Sequence, residues 1–210
     1  LLTVTGVQTC ALPISAAALN ARLLRAIDTL LNPRPPLPAG ANWQTDPTLH
    51  QHPDFDEVTK LAERAGRAAA RFLKLKDRDL VVTGLWANVN PPGGRNSHHT
   101  HPNNYLSGVY YVSTPGNEGR IVFDDPRAQA RVMMPPITEF TAHNGNTITF
   151  DVKPGRMVLF PAWLTHSVPV NASGHDRISI AFNLMFRDYV EHASPALWKG
   201  TVRVKEGSKG

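Results

Sequence analysis

Three of the nine histidines fall in one tetrapeptide, His98-His99-Thr100-His101. On extended chain, residues i and i+2 share a face, so His99 and His101 point the same way. The i+2 partner of His98 is Thr100, a much poorer ligand. A His-x-His pair on a strand is a bidentate clamp for a borderline divalent metal. The plain alternative is a surface histidine cluster in a loop. A third imidazole, His166, directly follows Phe160-Pro-Ala-Trp-Leu-Thr165, far along the chain from the pair. Strands of a jelly roll return on themselves, and such a separation can then bring residues face to face. Further on, Arg177-Ile-Ser-Ile-Ala-Phe-Asn183 alternates cleanly. Ile178, Ile180 and Phe182 share one face, and Arg177, Ser179, Ala181 and Asn183 share the other. A guanidinium and a hydroxyl on one face of an inner strand can hold a carboxylate. A structural arginine paired with Asp176 or Asp188 is the competing reading.

The elements that must carry these residues are short and β-prone: residues 80–85, 106–112, 121–123, 147–152, 157–160 and 178–182. Pro91-Pro-Gly-Gly94, Pro115-Gly116, Asn144-Gly145, Pro154-Gly155 and Ser173-Gly174 separate them. Pro154-Gly155 has the chemistry of a type II turn. This punctuation predicts a mostly β fold, a sandwich or jelly roll. Before it, Leu19, Leu23, Ile27 and Leu30/Leu31 recur at helical spacing behind a capping Ser15, and Pro33, Pro35, Pro36 and Pro38 stop that helix. A second helix is expected behind Asp54 as N-cap, with Glu57 at the capping-box position. Its apolar stripe is Phe55, Val58, Leu61, Ala65, Ala69 and Phe72. Two such helices would cover one outer face of the β body.

The chain has 210 residues, 41% of them hydrophobic, which suits one domain with a real core. Eighteen prolines and fifteen glycines fit a turn-rich body. No apolar run reaches the roughly 20 residues a membrane helix needs. A single cysteine, Cys10, excludes an internal disulfide framework and a cysteine-based zinc cluster. The net charge is +5, with Lys and Arg dispersed apart from Arg71, Lys74, Lys76 and Arg78, which read as a solvated helix end. Nucleic acid is therefore a poor expectation as partner. Residues 1–14 carry no charged residue and resemble a translated sequencing adapter; they are set aside from the fold. Without them no cysteine remains, which fits a reducing cytoplasm. The expected organisation is 15–79 helical with a Pro-rich linker, 80–193 the β domain, and 194–210 a tail.

The order His-x-His, Gly119-x-x-x-Phe123, Pro154-Gly-x-x-x-x-Phe160, His166 and Arg177-x-Ser179 resembles the 2-oxoglutarate and Fe(II)-dependent oxygenases. More narrowly, Trp86-x-Asn88, His99-Thr-His-Pro102, Ser107-Gly-Val-Tyr-Tyr111, Asp125-Pro-Arg127 and Phe160-Pro161 resemble an uncharacterised oxygenase family of bacterial and phage genomes, over about residues 43–187. The resemblance implies a cupin-like double-stranded β-helix with Fe(II) at its mouth, 2-oxoglutarate as cofactor and O2 as co-substrate. It makes His99 and His166 metal ligands and puts His101 where Asp or Glu usually stands. Arg177, with Ser179 assisting and Tyr110 or Tyr111 contributing from the neighbouring strand, would bind the far carboxylate of 2-oxoglutarate. Trp86, Asn88, Asn90, Tyr105 and Tyr111 would line the mouth as substrate or supporting groups, beside Asn96, Asn103 and Asn104.

Three arrangements stay open for the third ligand: His101; Asp124 or Asp125; or two protein ligands only. The metal itself could differ from iron. Two other functions compete with a hydroxylase that couples decarboxylation of 2-oxoglutarate to succinate with oxidation of an unknown substrate. One is a cupin-like three-histidine metalloenzyme without 2-oxoglutarate; the other is a non-enzymatic β-sandwich module.

Overall fold

The computed structural model describes residues 8–10, 16–114, 120–127, 132–133, 135–141 and 144–193. Two α-helices are present among the described residues: α1 (Ala16–Leu30) and α2 (Asp56–Phe72). Ten strands follow in chain order: β1 (Gln8–Cys10), β2 (Trp43–Gln44), β3 (Leu80–Asn90), β4 (Asn96–His99), β5 (Leu106–Ser113), β6 (Arg120–Asp124), β7 (Thr147–Asp151), β8 (Met157–Pro161), β9 (His166–Val168) and β10 (Arg177–Phe186). They form a six-stranded sheet, β1-β8-β5-β10-β3-β2, and a four-stranded sheet, β4-β9-β6-β7. Every pairing between these strands is antiparallel. The expected double-stranded β-helix with helices on one face is the architecture observed.

Alternation along β10 explains the layering. Ile180, Phe182 and Leu184 turn outward and join Leu85, Ala87 and Val89 of β3. That face buries Leu19, Leu23 and Ile27 of α1 and Val58, Leu61, Ala62, Ala65 and Ala69 of α2. Each fully buried aliphatic side chain stabilises by about 1.5–3 kcal/mol relative to exposure, so this apolar contact dominates the packing of the helices. A second, smaller core lies between the sheets: Tyr111, Ile121, Phe123, Val152, Val158, Phe160 and Leu164. The turn at Pro154-Gly155 places Gly155 at φ +81, as a type II turn requires of its third residue.

Several expectations shift. The strand expected over 80–85 continues to Asn90, which brings Trp86, Asn88 and Asn90 into the sheet. Asp54 is not the cap of α2. It lies in a short 3-10 turn (Pro53–Phe55), where the His52 ring accepts its backbone N–H, and Glu57 pairs with Arg22 instead of closing a capping box. Phe72 is exposed at the end of α2, with Gly66 and Ala70 completing the buried stripe. Gln8–Cys10, from the segment set aside, pairs with Met157–Leu159 as an edge strand, and Trp43–Gln44, from the linker, adds the opposite edge. Ser15, Gly119, the Pro115-Gly116 turn and the tail from 194 lie outside the described residues. No helix among the described residues is long and apolar enough to cross a membrane.

Gly108 marks the tightest cross-strand approach. A Cβ there would stand 2.3 Å from the Phe182 ring, itself fully buried. Gly108→Ala should therefore destabilise the fold by about 1–3 kcal/mol through overpacking. Chemical denaturation should show the loss, and an unchanged midpoint would mean the outer core has slack.

Candidate metal centre

Strand β4 lies beside β9 with His99 opposite His166, and β9 lies beside β6 with His166 opposite Phe123. His101 follows the end of β4, where its backbone N–H donates to the carbonyl of Ala162 (2.9 Å). The three imidazoles therefore converge. Ring centroids are 4.3 Å apart for His99 and His166, 5.0 Å for His99 and His101, and 5.1 Å for His101 and His166. One nitrogen from each lies within 4.8 Å of the other two, close enough for one cation to draw them together. No carboxylate joins this group among the described residues.

Two rings are already set for coordination. His99 Nδ1 lies 2.7 Å from the carbonyl of Ser97, and His166 Nδ1 lies 2.9 Å from the carbonyl of Leu164. A carbonyl only accepts, so Nδ1 carries the proton in each ring and Nε2 keeps its lone pair for a metal. His98 turns to the opposite face of the sheet, as alternation requires. There its Nε2 lies 3.3 Å from Ser167 Oγ and 3.6 Å from Asp124.

The same parity sorts the two aspartates. Val122 stands opposite Ser167, so Asp124, two residues on, belongs to the outer face with His98. Asp125 is engaged by Arg127, which bonds it through both its backbone N–H and its guanidinium. Both aspartates fall outside the group, and His101 completes it. Phe160 (4.6 Å) and Phe123 (6.0 Å) flank the ring of His166. Strand alternation puts both on the inner face, where they wall the site.

Arg177 is 1% exposed and lies between the sheets. Neither Asp176 nor Asp188 neutralises it: Asp176 takes Arg34 (2.9 Å), and Asp188 takes His192 (3.0 Å). Among the described residues its one hydrogen bond is a long contact to the carbonyl of Arg120 (3.4 Å), and its Nε has no partner. The guanidinium carbon stands 5.3 Å from the Tyr111 ring centroid. The Tyr111 hydroxyl is buried close by, within reach of that charge but without hydrogen-bond geometry. Leaving such groups buried and unmade costs about 1–3 kcal/mol each, more for a charge. A carboxylate would satisfy both. Ser179 stands opposite Tyr111 on one side and Asn88 on the other.

Tyr110 does not reach this place. It faces the helices, where its hydroxyl donates to Asn20 of α1 (2.6 Å), and burial raises its pKa to about 12. Alternation gives the inner position to Tyr111. Tyr105 also turns away and packs on Phe186 (4.8 Å). Trp86 lies on the inner face, its ring 5.6 Å from His101. Asn88 accepts from Asn42 (3.3 Å), and Asn90 donates to Asn96 (2.9 Å) across to the small sheet. Trp163 is 62% exposed on the turn between Ala162 and Leu164. His143 lies outside the described residues, and His50, His52, His175 and His192 take no part in the cluster.

Burial holds the imidazoles of His101 and His166 neutral. It lowers the pKa of His101 from 6.5 to about 3, with the neighbouring rings adding to the effect. It lowers that of His166 to about 4, against the opposing pull of the Leu164 carbonyl. In the unfolded chain both rings protonate near 6.5, so the unfolded state binds more protons below that value. The metal-free protein should therefore lose stability as pH falls from about 6.5 towards 4. His101→Gln should make that decline shallower. Denaturant midpoints at pH 7.5 and 5 check this, and equal slopes for both proteins would count against a buried neutral His101.

Residues 84–183 match the family described as "Putative 2OG-Fe(II) oxygenase". No curated protein matches the chain in sequence. Among solved structures, the non-heme alpha ketoglutarate dependent epimerase SnoN from nogalamycin biosynthesis superposes with a TM-score of 0.62 at 14% identity, over 86% of this chain and 78% of SnoN. EvdO2 from Micromonospora carbonacea var. aurantiaca, complexed with 2-oxoglutarate, gives 0.58 at 15% identity, over 86% of each chain. A Pseudomonas putida prolyl-4-hydroxylase gives 0.53 at 17% identity, over 86% of this chain and 92% of that one. At these identities the likeness is one of fold. The matched family uses Fe(II), 2-oxoglutarate and O2, and a three-nitrogen cluster beside a buried, unneutralised arginine suits a divalent metal with a dicarboxylate. The match likens residues 84–183, the greater part of the β-helix, to the 2-oxoglutarate/Fe(II) oxygenases.

Proposed function

We propose that this oxygenase hydroxylates its substrate, with His99, His101 and His166 holding Fe(II) and Arg177 anchoring 2-oxoglutarate. The observation that carries the reading is the buried Arg177, which has no carboxylate partner among the described residues and faces the same interior as the three imidazoles. Bound iron supplies oxygen chemistry in which O2 and 2-oxoglutarate convert a C–H bond into C–OH, with succinate and CO2 as the other products.

The chain's own residues do the rest. Arg177 gives the far carboxylate a charged fork of donors, and the hydroxyls of Tyr111 and Ser179 add uncharged ones. Asn88, beside Ser179, borders the same end of the cavity. Ser97 and Leu164 orient two imidazoles through their carbonyls and keep the coordinating nitrogens unprotonated. Phe123 and Phe160 exclude water from the inner side of His166. Three neutral imidazoles leave the metal's charge uncompensated, which favours a dianionic cofactor. The substrate is a small molecule or a protein group. Dispersed basic charge disfavours nucleic acid, and a cytoplasmic location suits the supply of Fe(II) and 2-oxoglutarate.

Anaerobic addition of Fe(II) and 2-oxoglutarate should produce a weak visible charge-transfer band. Its absence with iron bound would favour a three-histidine metalloenzyme without 2-oxoglutarate, and failure to bind iron at all would favour a non-enzymatic module. Arg177→Ala should weaken 2-oxoglutarate at least tenfold with iron content unchanged, consistent with charged hydrogen bonds of about 1.5–3 kcal/mol. Tyr111→Phe should weaken it several-fold, whereas Tyr110→Phe should leave it unaltered. Equal effects of the two tyrosines would refute the inner placement of Tyr111. His101→Ala should lower iron content, and retained iron with activity would remove it from the ligand set.

A further inference from the structure

The inner face of the large sheet is a grid of rows set by strand register. One row reads Gly84, Asn183, Ser107 and Phe160 across β3, β10, β5 and β8; the next reads Trp86, Ala181, Val109 and Val158. Phe160 touches His166 and Trp86 touches His101, so both rows lie level with the imidazole cluster. Arg177 and Ser179 lie further along β10, towards its N-terminal end. About 13 Å of strand separates Ser179 from Asn183 at roughly 3.3 Å per residue. Asn183 therefore stands at the opposite end of the cavity from the carboxylate anchor.

Two donors at this end are unspent. Ser107 Oγ donates to Asn183 Oδ1 (2.7 Å), a buried bond that fixes the amide and leaves Nδ2 as its free end. That Nδ2 has no partner among the described residues and is not sealed from solvent. The Trp86 indole N–H likewise has no partner among the described residues, whereas that of Trp43 donates to Pro35 (2.8 Å). Trp86 and Asn183 are diagonal neighbours on adjacent strands, within mutual reach of one ligand group. The small side chain of Ala181 lies beside Trp86 in its row and leaves room before it.

We propose that Trp86 and Asn183 form the anchor for the oxidised substrate, and that they select an amide carbonyl. Both groups offer N–H donors and carry no charge, which fits a neutral acceptor better than a carboxylate. The indole face offers a flat surface for a planar amide. Ser107 is a positioning residue that decides which end of the Asn183 amide meets the ligand. The proposal rests on the oxygenase reading, since it takes the imidazole cluster as the centre of reaction.

The test uses the full chain with Zn(II) and 2-oxoglutarate, which allows binding without turnover. The Trp86 indole N–H signal is identified in a 15N spectrum by its loss in Trp86→Phe. N-acetylalanine methylamide should move that signal saturably, and butanoate and butylammonium should not. Asn183→Ala should weaken the amide about fivefold to tenfold, the worth of one hydrogen bond, and leave 2-oxoglutarate affinity within about twofold of the parent. Ser107→Ala should weaken the amide in the same direction. A stationary signal, an equal response to butanoate, or an equal loss of 2-oxoglutarate affinity in Asn183→Ala would each overturn the proposal. If the parent protein binds no 2-oxoglutarate, the oxygenase reading fails separately, and the amide titration is then decided on the Zn(II) form alone.

Discussion

The central position of β10, paired on both sides, is the constraint on which the rest of the structure depends. A strand flanked by β3 and β5 cannot slip by one residue without sending its apolar set inward and its polar set under the helices. Ile180, Phe182 and Leu184, buried against α1 and α2, hold the register. That apolar contact compels Arg177 to stay inside, although burial alone disfavours its charge. Helix packing and the burial of the arginine are thus two faces of one alternation. The tightest cross-strand approach, Gly108 under Phe182, lies on the helix side and helps fix the other.

Much of the site was legible because its residues sit on strands, where a period of two sorts faces without further information. His99 and His101 were separated from His98 in this way, and Arg177 and Ser179 from Ile178 and Ile180. The same rule applied to the two adjacent tyrosines would have distinguished them, but the sequence does not say which parity of that strand is inner. Asn20 was the missing signal, a polar residue in the apolar stripe of α1 that needed a buried partner and found Tyr110. The extension of β3 to Asn90 was hidden because its end reads Trp-Ala-Asn-Val-Asn, with asparagines that ordinarily signal turns. Here they face an enclosed polar interior, and tertiary context overrides propensity.

At the N-terminus of α2 the local pattern misled for a different reason. Asp54 and Glu57 have the spacing of a capping box, yet the turn they enter is tightened by Pro53 and capped by His52. Glu57 is then released to Arg22 of α1. Exposed ion pairs of this kind contribute little to stability. The apolar stripe of α2, which the sequence did show, carries that helix to the sheet.

The way His99 and His166 are held has a consequence for speed rather than affinity. Each ring is tethered to a carbonyl only two residues before it in the chain, so its orientation is a local property of the strand. A metal bound there would meet lone pairs that need no tautomer exchange and little rotation. Much of the ordering entropy would then have been surrendered during folding, and such a centre would load quickly even where the ion is scarce.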